Sequence, residues 1–156
     1  MMGYQLFEQG RYTQAKTVFQ GLCALDTKEG YYRTALGAVY LAEDDLENAE
    51  RALNAAIELN PKEIASFVNR GEVYLRQGKI VEAAQDFKRA VELDPDKKDP
   101  VSHRARLLAA AAVETIRAAQ RQSEGQGKPK PAAPQAKAAS GTHPATRPAG
   151  SDNKKK

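Results

Sequence analysis

The sequence predicts an all-α solenoid of stacked helical hairpins, and three observations predict it. First, a whole set of residues recurs 34 positions apart: Gly37 and Gly71, Tyr40 and Tyr74, Ala49 and Ala83, Leu53 and Phe87, Ala56 and Ala90. Second, each of these units closes on the same stop, Leu59-Asn60-Pro61 and Leu93-Asp94-Pro95, where proline ends helix continuation. Third, the large apolar residues within each unit fall at helical spacing, on one face. A fixed period of this length marks units that bury their apolar faces only by stacking on one another.

The elements follow in order. Stepping back one period from Gly37 reaches Gly3, with Leu6, Ala15, Phe19, Leu22 and Leu25 in register. This first unit is truncated, because its first helix would begin before Met1. About residues 1–9 remain, followed by a helix at about 12–25, and Thr27 stands where the later units have proline. The expectation is a segment missing upstream, or a short first helix that frays. The second unit pairs helices at 30–42 and 46–59, and the third pairs 64–76 and 80–93. Gly37 and Gly71 lack a Cβ, so two helices can approach there, and Ala49 and Ala83 are small for the same reason. Tyr40, Leu53, Tyr74 and Phe87 are expected to fill the space between units. Gly10 and Gly78 occupy the turns within units, where a left-handed residue is needed, and Asp44 takes that place in the middle unit.

Beyond Pro95, a polar break ends in Pro100 at a helix start. Residues 100–122 then read as a capping helix whose Leu107, Leu108, Ala111 and Ile116 can cover the last unit. Residues 123–156 hold Pro, Ala, Lys, Gly, Ser and Thr without an aromatic or large aliphatic residue. Such a segment cannot offset chain entropy by burial and is expected to be disordered. The domain division is therefore 1–95 repeats, 100–122 cap and 123–156 tail.

The chain has a formal net charge of +4, but the charge is unevenly placed. Residues 1–95 carry 11 Lys/Arg against 15 Asp/Glu, residues 96–122 carry 6 against 3, and residues 123–156 carry 7 against 2. A nucleic-acid reading thus attaches only to the tail, through lysines such as Lys128, Lys130, Lys137 and Lys154, where binding would be weak and salt-sensitive. A spacer or solubilising role suits that composition better. No apolar run reaches membrane-span length, and the start of the chain does not read as a signal peptide, so a cytoplasmic protein is expected. The single Cys23 excludes an intramolecular disulfide framework and reads as a structural thiol. His103 and His143 lack metal-ligand spacing, and no nucleophile–base arrangement or phosphate loop is present. The expectation is no enzyme, no metal and no cofactor.

The pattern Leu36-Gly37, Tyr40, Ala49, Ala56 and Pro61, repeated at 70–71, 74, 83, 90 and 95 with Arg70 for leucine, resembles the tetratricopeptide repeat. More narrowly, the run Val18-Phe19-Gln20-Gly21-Leu22-Cys23-Ala24-Leu25-Asp26, followed by Leu36-Gly37-Ala38, is similar to the first-repeat region of the bacterial type III secretion translocator chaperones. That resemblance implies a cytosolic protein that holds hydrophobic secretion substrates before export, and the acidic repeat body agrees with it.

In such a solenoid the first helix of each unit lines a concave groove. Counting from the glycines, the groove should present Tyr4 and Phe7, then Tyr31, Thr34, Ala38 and Leu41, then Val68, Glu72, Leu75 and Arg76. Most are apolar or aromatic, which suits an apolar segment of a client protein. Alternatively, some of them pack against the C-terminal helix or a homodimer partner. Repeat proteins that bind acidic chaperone C-termini resemble one another in a clamp of basic and amide residues. The matching positions here are Tyr4, Ala35 and Ala65, with only Asn69 fitting, so a terminal carboxylate lacks a charge-assisted partner. The expected function is a chaperone or adaptor for an apolar client segment. The alternative is a scaffold subunit tethered to an anionic partner by its tail.

Overall fold

A computed structural model describes residues 2–126. Seven α-helices follow one another: α1 (Met2–Glu8), α2 (Tyr12–Leu25), α3 (Gly30–Ala42), α4 (Leu46–Leu59), α5 (Ile64–Arg76), α6 (Ile80–Glu92) and α7 (Pro100–Gln126). There is no strand among the described residues. Helices α1–α2, α3–α4 and α5–α6 are antiparallel hairpins, and α7 packs on α6 and α5 as α5 packs on α4 and α3. The first hairpin has the shortest first helix, α1 being seven residues long against 13 for α3 and α5. Helix α7 runs to Gln126, past the end expected at 122, so the expected tail begins inside a helix. The remainder of that tail lies outside the described residues.

The turn within each hairpin is built identically. Gly10, Asp44 and Gly78 adopt positive φ of 72°, 60° and 77°. The next amide then reaches back to close the preceding helix: Arg11 to the Leu6 carbonyl (2.8 Å), Asp45 to Tyr40 (2.9 Å) and Lys79 to Tyr74 (2.8 Å). A left-handed residue followed by this backward bond is the standard way to satisfy the last carbonyls of a helix. Asp45 then starts α4, its carboxylate accepting from the Asn48 amide (3.3 Å) and side chain (2.7 Å).

The repeating glycines sit under a large side chain of their own hairpin. A Cβ on Gly3 would lie 2.7 Å from the Phe19 ring, one on Gly37 2.6 Å from Leu53, and one on Gly71 2.5 Å from Phe87. Leu53 and Phe87 therefore fill the hairpin interior over their glycine; the expectation that they serve chiefly as spacers between units is corrected here. Leu53 does also meet Val73 of the following hairpin in one core cluster. Tyr40 bridges units as expected, its hydroxyl accepting from Gln20 of α2 (3.1 Å).

Buried polar ties hold the stack in register. Arg70 of α5 donates twice to Asp86 of α6 (2.7 Å each) and once to Asn54 of α4 (2.8 Å). One guanidinium fork thus joins three helices, the fixed geometry that arginine provides and lysine does not. At the C-terminal end, Asp94 accepts from the Lys98 and Asp99 amides (3.0 and 3.1 Å) and from the Ser102 hydroxyl, while Arg106 donates to the Asp94 carbonyl (2.8 Å). The Ser102 hydroxyl, then those amides and Arg106, hold the Asp94 carboxyl below the usual aspartate range.

A candidate protein-binding groove

The first helices of the three hairpins, α1, α3 and α5, carry all ten residues expected to line the groove. The structure sorts them into three groups. Tyr4 and Tyr31 come together across α1 and α3, ring centroids 5.7 Å apart, with Tyr4 also set edge-on against Phe19 at 5.3 Å. Burial, reinforced by the neighbouring Tyr31 hydroxyl, raises the Tyr4 hydroxyl well above the usual tyrosine range, so it stays neutral. Tyr31 remains 41% exposed, leaving one face of the pair open.

Further along, Phe7, Ala38, Leu41, Glu72 and Arg76 border one cavity of about 270 Å³. Ala42, Asn69 and Arg104 complete its wall. Of these additions, Arg104 belongs to α7 and stands outside the 34-residue register, so counting from glycines could not find it. Ala42 and Asn69 do lie on the lining helices, next to expected residues, and a wider helical face would have included them.

The third group corrects the expectation. Thr34 is 4% exposed and faces α5, where its hydroxyl and that of Ser66 donate to one oxygen of Glu63 (2.5 and 2.7 Å). Val68 is 1% exposed and shares a core cluster with Ala105 of α7. Leu75 packs onto that same cluster. Thr34 thus belongs to the joint between α3 and α5, and Val68 and Leu75 to the core cluster that α5 shares with α6 and α7.

Each charged group of the cavity has a partner in the chain. Arg76 donates to the Leu41 carbonyl (2.8 Å) and to Asp44 (3.0 Å), which closes the exposed end of α3. Arg104 lies 2.8 Å from Glu72, pairing α7 with α5 across the cavity. Burial raises the Glu72 carboxyl above the usual range, and Arg104 and Arg76 pull it partly back. Each arginine thus has an acidic partner within the chain, and at the matched clamp positions Ala35 is buried. The groove therefore offers aromatic and aliphatic wall with charge already neutralised.

Cys23 is half-buried on α2, and burial pushes its thiol up, against a smaller opposing effect from Arg33. A raised thiol pKa lowers the thiolate fraction and suits a packing role. Among the described residues no group of His, Cys, Asp or Glu could hold a metal ion. None of the helices is long and apolar enough to cross a membrane.

Two family models, both described as tetratricopeptide repeat, match the chain over residues 36–119 and 1–64. The fold is also that of several solved structures. The type III secretion translocator chaperone SycD of Yersinia enterocolitica is 24% identical, with a TM-score of 0.70, over 74% of this chain and 81% of that one. The same protein in complex with a peptide of the translocator YopD is 25% identical, with a TM-score of 0.69, over 74% and 89%. PcrH of Pseudomonas aeruginosa, in complex with the chaperone-binding region of PopD, is 22% identical, with a TM-score of 0.69, over 74% and 88%. No curated protein sequence matches the chain. SycD is a chaperone, and PcrH is solved with the chaperone-binding region of PopD.

Proposed function

The chain belongs to the tetratricopeptide repeat family, and we propose that it is a chaperone or adaptor that holds an apolar segment of a client protein in its concave groove. The observation that carries this reading is the groove itself. The helices that carry an open tyrosine pair also wall a cavity with Phe7, Ala38 and Leu41, and each charged group of that cavity has a partner in the chain. An apolar segment entering it gains contact with aromatic and aliphatic surface and leaves no ion stranded. The finer assignment to secretion is supported by the likeness to SycD, solved with a peptide of the translocator YopD, and to PcrH, solved with the chaperone-binding region of PopD; a cytoplasmic site of action is proposed with it.

The test is capture of a client from native extract, identified by mass spectrometry, with the wild-type chain and with Ala38→Glu and Tyr31→Ala. Ala38 and Tyr31 border the groove without filling the core, so both variants should keep a wild-type circular dichroism spectrum. The client should bear an extended apolar segment, and Ala38→Glu should lose it. Undiminished capture by a folded Ala38→Glu protein sinks the groove assignment.

A further inference from the structure

Counted in the 34-residue period, Tyr4, Ala38 and Glu72 hold the same place on the three first helices. The first two are an aromatic ring and a methyl, which suit an apolar wall. The third is a carboxylate, bordering the cavity of about 270 Å³ together with Phe7, Ala38, Leu41 and Ala42. Its side chain is only 16% exposed, and burying a carboxylate costs free energy that an apolar residue there would not.

The contacts within the chain leave this group short of donors. Glu72 Oε1 is shut off from solvent and accepts no hydrogen bond among the described residues. Arg104 lies 2.8 Å away, but its N–H bonds are not aimed at the oxygen, so the contact is an ion pair without a hydrogen bond. Arg76 turns its donating nitrogen to the Leu41 carbonyl and to Asp44. A carboxylate has about four acceptor positions, and a buried acceptor left without a donor is costly.

The missing donor can be specified. Arg104 and Arg76 both already draw on this carboxylate, so a further cation is repelled where an uncharged N–H is not. An apolar segment has one kind of uncharged donor, its main-chain amide, and that amide must itself be paired once buried. The side chains of Phe7, Ala38 and Leu41 hold no acceptor for it. Arg104 reaches over Glu72 from α7 with a side chain 63% exposed, and an exposed arm of this kind is weakly held and can swing aside.

Resting on the groove as the client site, we propose that Glu72 is a specificity-determining residue: its carboxylate accepts the main-chain N–H of the client residue whose apolar side chain fills the cavity. Apolar contact selects what enters, and Glu72 sets the register at which the segment lies along the groove.

The probe is a labelled peptide from a phage-displayed library of random linear dodecapeptides, selected on the full chain and counter-selected on Ala38→Glu. Each main-chain amide is replaced in turn by an ester, which removes the N–H without adding bulk, and the set is titrated by fluorescence anisotropy. One ester position should weaken binding to the wild type about tenfold. The same ester should cost about twofold or less with Glu72→Met. It should cost about threefold with Glu72→Gln, which keeps an acceptor without the charge. Both variants should keep a wild-type circular dichroism spectrum. Equal ester losses with the wild type and Glu72→Met overturn the proposal, as does a wild type that tolerates an ester at every position. Coupling of the ester to Asn69→Leu instead would assign the amide to Asn69, and coupling of Glu72 to a peptide Lys or Arg would assign it a cation; either overturns the proposal. A library without a peptide that separates the wild type from Ala38→Glu sinks the groove reading itself, and the proposal with it.

Discussion

At Gly71 one added methyl decides between packing and clash. Its Cβ would lie 2.5 Å from the fully buried Phe87 ring, which has no room to retreat. Gly71→Ala should therefore destabilise the protein by about 1–3 kcal/mol, after a helix-propensity gain of about 1 kcal/mol is outweighed. Gly21 makes the internal control. It sits in α2 with open space around it, so Gly21→Ala should stabilise by about 0.5–1 kcal/mol. Urea denaturation of the two variants should show shifts of opposite sign. Glu72 is a second decisive residue. Burial disfavours its charge, so the folded protein binds its proton more tightly than the unfolded chain does. That preference favours folding at low pH and is lost as pH rises above the ordinary glutamate range. Glu72→Gln should then be more stable than wild type at pH 7, with the difference shrinking below about pH 4. A pH series of denaturation midpoints checks this, and a variant less stable at pH 7 would show that the Arg104 pair outweighs burial.

Among the elements, α7 is held by a few polar contacts around one carboxylate. Asp94 has a lowered carboxyl, so its contribution is present above the ordinary aspartate range, near pH 4, and is lost as pH falls through the lower folded value. Protection factors over residues 100–112, corrected for the intrinsic pH dependence of amide exchange, should fall on acidification, and Asp94→Asn should already be less protected at pH 7 with a flatter pH response. The Arg70–Asp86 tie works at the same scale, joining α4, α5 and α6. Asp86→Ala leaves a part-buried guanidinium without its partner and should cost about 3–5 kcal/mol, more than the double replacement of both residues by apolar ones. The helices bearing these contacts were legible from sequence because proline, glycine and the 34-residue register are local signals: α2, α3, α4 and α5 begin and end where the spacing places them. The fate of Thr34 and Val68 was not legible. Whether that position of a first helix faces the groove or a neighbour depends on how the next helix leans across it, and the cluster that holds Val68 includes Ala105 of α7, whose register departs from the period. Arg104 was missed for the same reason.

For the whole molecule, a stack in which each hairpin touches only its neighbours has stability graded along its length. The ends have one neighbour and the middle two, so native-state exchange should find α1, only seven residues long, least protected and α3 to α5 most. Uniform protection from α1 to α6 would instead indicate a single cooperative block. The positive-φ residues at 10, 44 and 78 carry a consequence at this scale too. Considered as a polymer, the solenoid grows by one hairpin wherever a left-handed residue lets the chain double back, and it terminates where a helix runs on through that place, as α7 does. Its length is punctuated by single residues in a sequence otherwise suited to continuing. Lengthening such a protein therefore asks for a glycine at Glu114, 36 residues after Gly78, and one more helix downstream, with no change to the core already built. A groove made this way can be matched to a longer client by the smallest of edits.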